Sequence, residues 1–196
     1  MSKRTPKVLT PEQMEEYLRC TLAGMETGLF AYLAHPELCL ADYAQYDEVA
    51  KDMVHAICRK AKELDLPVIV HERDAHEDGM KVVAEFPEVT GVFHCYSGSA
   101  EMARQLVDRG WYIGFTGVLT FKNARKAIEV ASQIPLDRIV LETDCPYMAP
   151  EPFRGKRNDP GKLYRMAEKL AEIRGLSVEE IHRITLENGK RFFNIK

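Results

Sequence analysis

The fold is indicated most clearly by residues 91–115, which have the sequence GVFHCYSGSAEMARQLVDRGWYIGF. An apolar run at the start ends at His94, and a second apolar run closes the stretch. Between them, residues 99–109 have apolar side chains at helical spacing. Short apolar strands separated by an amphipathic helix are typical of a parallel sheet covered by helices.

The same alternation extends over most of the chain. It predicts strands at residues 29–34, 67–71, 89–94, 111–115 and 138–142, and helices at 11–27, 47–64, 76–86, 99–109, 122–132, 160–174 and 177–192. A closed barrel of this kind needs eight strands and typically about 250 residues. We therefore predict an α/β fold, a partial TIM-like (β/α) barrel of about five parallel strands with outer helices, in one domain over residues 1–196.

The amino-acid composition bears on nucleic-acid binding, on the redox compartment and on membrane association. The net charge of -3 gives no general attraction to nucleic acid, so any such binding needs a local patch. The five cysteines contain no C-x-x-C pair and indicate reduced thiols in a cytoplasmic protein. We expect no membrane association, because no segment approaches the roughly 18 apolar residues of a membrane span.

Four predicted strands end in a side chain that can bind a metal ion: His35, His71, His94 and Asp144. Carboxyl ends of parallel strands open onto one face, where the active sites of such folds lie. Imidazole and carboxylate ligands suit zinc, manganese or magnesium. A single histidine of this kind is also compatible with a hydrogen-bonded core residue, but the shared strand-end position favours a metal site.

Three cations, Arg154, Lys156 and Arg157, follow the last predicted strand on a Pro-rich loop. Above a site at the strand ends they could bind substrate phosphate. A charge run of this type is also common on solvated surfaces.

Four segments resemble successive signature segments of the TatD family of metal-dependent hydrolases, in order and in spacing: PVIVHERDA (67–75), FHCYSG (93–98), LETDCPY (141–147) and RGKRN (154–158). The resemblance covers about residues 67–196. It implies a β/α barrel with divalent metals and phosphodiester hydrolysis, including deoxyribonuclease activity. It also implies that His71 and His94 are metal ligands, and that Asp144 is a ligand which directs the attacking water.

The first third of the chain departs from that pattern, because the family's initial His-x-His pair and its metal-bridging Glu are missing. Residues 28–38, GLFAYLAHPEL, and the following helix resemble the polymerase and histidinol phosphatase (PHP) family, in which the matching His35 is a metal ligand. We therefore expect a chimera, PHP-like over about 11–66 and TatD-like over 67–196, which would be engineered rather than natural. A natural, truncated TatD relative is the alternative.

Both resemblances imply phosphoester hydrolysis. We therefore predict a divalent-metal-dependent phosphoester hydrolase of the TatD deoxyribonuclease type, with weak or impaired activity because the His-x-His pair and the bridging Glu are missing. The alternative is a catalytically inactive, engineered chimeric scaffold. The substrate would be a phosphoester, with DNA as a candidate. Because five strands leave a sheet edge unpaired, we also expect a homodimer.

Overall fold

The chain folds into successive β/α units whose strands form one parallel sheet. The computed structural model describes residues 9–34, 47–71 and 75–195. The strands are β1 (Leu33–Ala34), β2 (Val68–His71), β3 (Gly91–His94), β4 (Tyr112–Phe115) and β5 (Ile139–Leu141), in the order β1-β2-β3-β4-β5. The helices are α1 (Pro11–Glu26), α2 (Glu48–Glu63), α3 (His76–Glu85), α4 (Ala100–Asp108), α5 (Arg125–Gln133), α6 (Leu163–Arg174) and α7 (Val178–Phe192).

The predicted class, an α/β fold with five parallel strands and surrounding helices, is confirmed. All neighbouring strands pair in parallel. Each strand is short, at two to four residues, and is linked to the next by a helical connection. Parallel neighbours require such crossovers, and their carboxyl ends therefore all lie at the same edge of the sheet.

The first strand is shorter than predicted. Only Leu33 and Ala34 pair with β2, whereas the sequence predicts a buried strand over residues 29–34. Leu29 and Phe30 are exposed, and Gly28 before them has a left-handed backbone with a φ of 67°. The apolar run 29–34 therefore includes surface positions, which an apolar pattern alone does not distinguish from a buried strand.

The centre of the sheet is fully covered. Strands β3 and β4 are buried along their whole length. On one face Phe93 and Ile113 belong to the main core, while on the other face Val92 and Tyr112 pack with Phe192 at the end of α7. The end of the last helix thus packs on the sheet face opposite the main core.

The first helix packs against α2. Met14 of α1 forms a small buried cluster with Met53 and Ile57 of α2, and Leu33 of β1 packs against this cluster. The start of α1 is fixed by Thr10, whose hydroxyl accepts a hydrogen bond from the Gln13 backbone while the Gln13 side chain accepts one from the Thr10 backbone. This capping box is the helix start that the sequence predicts.

A short 3₁₀ turn, Gly117–Thr120, follows β4, and α5 consequently begins at Arg125 rather than near residue 122. Within the described ranges no helix has the length and apolar character needed to cross a bilayer.

Candidate metal centre

Two of the predicted ligands, His71 and His94, lie side by side at the carboxyl ends of β2 and β3. The parallel register pairs these two residues directly. The Nδ1 atom of His71 is 2.8 Å from the Nε2 atom of His94, and the ring centroids are 4.9 Å apart. His94 is buried, whereas His71 is half-buried. The strand pairing therefore brings together residues that are 23 positions apart in the sequence.

A carboxylate that we did not predict completes this arrangement. Glu142 directly follows β5, and its Oε2 atom is 3.1 Å from Nδ1 of His94. Its other oxygen, Oε1, accepts a hydrogen bond of 2.6 Å from the backbone N–H of Cys95. The sequence offers one signal for Glu142: it lies two residues before Asp144, and alternate residues of an extended segment share a face.

One arrangement of protons on two neutral rings satisfies both contacts. An ionised carboxylate only accepts hydrogen bonds, so in this arrangement His94 carries its proton on Nδ1 and leaves Nε2 as an acceptor. Nδ1 of His71 then donates to that acceptor. The result is a directed chain of hydrogen bonds from His71 through His94 to Glu142.

The spacing of the two rings fits a shared divalent ion. Zinc binds imidazole nitrogen at about 2.0–2.1 Å, and tetrahedral geometry places two such nitrogens about 3.3 Å apart. The observed separation of 2.8 Å needs only a small opening to reach that value. A carboxylate on the far nitrogen of a histidine is also the usual support of a metal ligand.

The other predicted ligands do not join this pair in the part of the chain that the structure describes. Among those residues no group of three or more His, Cys, Asp and Glu side chains is arranged to hold a metal ion. Asp144 is half-buried and has a left-handed backbone with a φ of 52°, so the chain turns away from strand geometry there. His35 lies outside the described residues. The metal-binding roles of all four stay predictions.

Asp144 nevertheless lies in the neighbourhood of the pair. Burial raises the pKa of the Cys95 thiol, and the negative charges of Glu142 and Asp144 raise it further. Cys95 immediately follows His94, so both acidic groups act on the same strand end. The thiol is therefore protonated near neutral pH, which argues against its use as a nucleophile.

The loop after β5 is held by a buried amide. Asn158 is 2% exposed, and its Nδ2 donates to the backbone oxygens of Thr143 at 2.6 Å and Tyr147 at 2.7 Å. These two carbonyls bracket Asp144. Asn158 therefore fixes the turn that presents the Asp144 carboxylate.

The structure distinguishes the three predicted phosphate-binding cations. Arg157 borders a shallow cleft of about 460 Å³ together with Cys145 and Asn158. The Arg154 guanidinium instead lies over the ring of Phe121, 4.3 Å from its centroid, and Lys156 is exposed. Cys145 is exposed at the edge of the cleft.

Comparison with known proteins identifies the family. The sequence model of the TatD related DNase family matches residues 26–194, so the chain belongs to this family. The uncharacterized metal-dependent hydrolase YabD of Bacillus subtilis is 46% identical over 160 residues, covering 79% of this chain and 62% of the relative. The uncharacterized metal-dependent hydrolase YcfH of Escherichia coli K12 is 43% identical over 136 residues, covering 68% and 51%. The chain thus spans between half and two thirds of these relatives.

Two solved structures have a fold similar to that of this chain. The crystal structure of YjjV, a TatD homologue from Escherichia coli K12, has a TM-score of 0.73 and 27% identity, covering 95% of this chain and 84% of that one. A TatD family hydrolase from Entamoeba histolytica has the same TM-score of 0.73 at 21% identity, covering 93% and 71%. The second likeness concerns the fold alone.

The family match also changes the predicted boundary. It begins at residue 26, whereas the resemblance of the four signature segments begins at residue 67. Most of the segment attributed to the PHP family, residues 11–66, thus lies inside the TatD match. The PHP resemblance and the chimera stay hypotheses without support from these comparisons.

Proposed function

We propose that this chain is a divalent-metal-dependent phosphoester hydrolase of the TatD deoxyribonuclease type, with weak or impaired activity. The observation that carries the proposal is the hydrogen-bonded chain of His71, His94 and Glu142 at the carboxyl ends of three strands. Membership of a family of metal-dependent hydrolases supports the reaction class. The family description favours DNA, and so a phosphodiester, as the substrate.

Each residue has a distinct task in this proposal. His71 and His94 hold the ion with Nδ1 and Nε2, the atoms that now face each other, and Asp144 and His35 are the further proposed ligands. Asp144 accepts the proton of the attacking water and orients that water. Arg157 binds the substrate phosphate at the cleft, and Arg154 and Lys156 add positive charge to the same loop. A bound divalent ion would supply Lewis-acid activation of water and of the phosphoryl group.

The small number of ligands supports impaired rather than full activity. The sequence lacks the His-x-His pair and the bridging Glu of the family pattern. A clamp on both the attacking and the leaving oxygen needs two metal ions, and the four proposed ligands, His71, His94, Asp144 and His35, suffice for one. A single ion can still activate water.

The free state of the described cysteines fits a reducing compartment. Cys20, Cys58, Cys95 and Cys145 are free in the described part of the chain. Because disulfides persist mainly in oxidising compartments, a cytoplasmic location is our proposal.

The test uses Asp144→Asn with a matched control. Asp144 has a φ of 52°, a conformation that Asn tolerates well, so the substitution should preserve the fold. Asp65 also has a φ of 52° but lies at the end of α2, so Asp65→Asn controls for the same chemical change elsewhere. Hydrolysis of a chromogenic phosphodiester and of a phosphomonoester is measured with added Mn²⁺, Zn²⁺ or Mg²⁺.

We expect metal-dependent hydrolysis by the original protein, unchanged activity in Asp65→Asn, and loss of at least tenfold in Asp144→Asn. Equal activity in all three would refute the role of Asp144. If the folded protein binds a metal ion but none of the three hydrolyses either substrate, the alternative of a catalytically inactive chimeric scaffold is favoured.

A further inference from the structure

Glu142 reaches across an intervening strand to contact β3. It follows β5, and β4 separates β5 from β3 in the sheet. The side chain passes over Gly114 of β4, where a Cβ atom would lie 2.5 Å from Oε1 of Glu142 and 3.1 Å from Cα of His94. A glycine at this position therefore leaves the space that the carboxylate occupies.

The two carboxylate oxygens of Glu142 contact two consecutive residues, His94 at the end of β3 and Cys95 directly after it. Oε2 contacts Nδ1 of His94, and Oε1 accepts from the backbone of Cys95. Cys95 has a left-handed backbone with a φ of 48°, which is unfavourable for a residue with a side chain. The hydrogen bond to an ionised acceptor offsets part of that cost. Glu142 thus fixes the strand end and the imidazole together.

We propose that Glu142 is the positioning residue of the metal centre, and that it sets the tautomer of His94. With Nδ1–H held by the carboxylate, the unprotonated Nε2 faces His71 and is ready to bind a divalent ion. Histidine binds metal only through an unprotonated nitrogen. This inference rests on the proposed function, but the tautomer of His94 can be measured without any metal.

The decisive variant is Glu142→Gln, which keeps the shape and changes the hydrogen-bonding pattern. The single amide oxygen must accept from the Cys95 N–H, which leaves the amide NH₂ facing His94. An NH₂ group only donates, so Nδ1 of His94 becomes an acceptor and the proton moves to Nε2. The variant therefore inverts the tautomer and blocks the nitrogen that faces His71.

A second histidine–carboxylate pair provides the control. His55 of α2 and Glu85 of α3 lie 2.9 Å apart, between Nε2 and Oε2, on helices away from the strand ends. Glu85→Gln makes the same chemical change there. It should alter neither the His94 tautomer nor metal affinity.

The experiment measures two quantities. Nitrogen-15 NMR of histidine-labelled, metal-free protein gives the tautomer of His94, with the six histidines assigned by single replacements. Competition with a fluorescent chelator gives the Zn²⁺ affinity. We expect Glu142→Gln to move the proton of His94 from Nδ1 to Nε2 and to weaken Zn²⁺ binding by about 10–100-fold.

A shorter carboxylate keeps the proposal testable if Glu142→Gln does not fold. Glu142→Asp retains the acceptor but cannot hold both His94 and Cys95, so we expect the original tautomer and an intermediate Zn²⁺ affinity. If the original tautomer and affinity persist in Glu142→Gln, the positioning role is overturned, even if its thermal stability falls. If the original protein binds no Zn²⁺, the proposed function fails, while a tautomer change in Glu142→Gln still supports the role of Glu142 at His94.

Discussion

Replacing Asn158 with alanine should destabilise the loop that carries Asp144. The substitution removes the amide that donates to Thr143 and Tyr147. It leaves the carbonyl oxygens of Thr143 and Tyr147 without this donor, and both of these hydrogen bonds are partly buried. Each net hydrogen bond contributes about 1 kcal/mol, and a buried acceptor left without a donor adds to the loss. Because water from the adjacent cleft can reach part of this region, we expect a total loss of about 2–3 kcal/mol.

A loss of this size is measurable by thermal denaturation. For a chain of this length it corresponds to a fall in Tm of about 4–12 °C. Circular dichroism gives the transition, and phosphodiester hydrolysis at 20 °C gives the effect on the site. We expect Asn158→Ala to lower both, since the turn that presents Asp144 loses its support.

Asn188→Ala is the matched control. Asn188 is 1% exposed, and its Nδ2 donates to the backbone oxygens of Leu136 at 2.8 Å and Ile139 at 2.7 Å. This substitution removes the same number of donated hydrogen bonds from the same kind of buried amide, but it acts where α7 meets the start of β5. Asn158 additionally accepts one bond, at Oδ1 from the Asp159 backbone. It should lower Tm to a similar extent and leave hydrolysis unchanged in the folded protein. Our reasoning would be refuted if both variants lost hydrolysis equally, or if Asn158→Ala kept the original Tm.

Three further outcomes are expected. Gly114→Ala should destabilise by about 1–3 kcal/mol, because its Cβ overlaps Glu142 and the backbone of His94, whereas Gly189→Ala in α7, whose Cβ meets no atom within 4 Å, should not destabilise. Burial raises the pKa of the Cys58 thiol from 9.0 to about 11, so the unfolded chain releases this proton at lower pH. The free energy of unfolding should then fall by about 2 kcal/mol between pH 9 and pH 11, a change that urea titrations of Cys58→Ala should lack. Finally, β1 lies at one edge of the described sheet beside the exposed Leu29 and Phe30, so light scattering should give a dimer, and a mass near 22.4 kDa would contradict this.

The order of strands and helices could be predicted because its signals are local. Apolar runs, caps such as Thr10 and the proline at position 11 each act within a few residues. Neighbouring strands in the sheet follow one another in sequence, so the approach of His71 and His94 also followed from the β/α order. The error at residues 29–34 arose because an apolar run does not reveal whether other elements cover it.

The contacts of Glu142 could not be predicted in the same way. They depend on the absence of a side chain at Gly114 and on the backbone turn at Cys95, which are far apart in the sequence. The sequence alone does not distinguish the roles of the three loop cations, Arg154, Lys156 and Arg157. The structure distinguishes them, because Arg154 packs on Phe121 while Arg157 lines the cleft.

The central claim is that His71 and His94 hold a divalent ion, and metal content tests it most directly. Purified protein is loaded with Zn²⁺ or Mn²⁺, dialysed and analysed by elemental mass spectrometry beside His94→Ala and His55→Ala. We predict about one ion per chain in the original protein and in His55→Ala, and loss of that ion in His94→Ala. Equal metal content in all three proteins would contradict the claim.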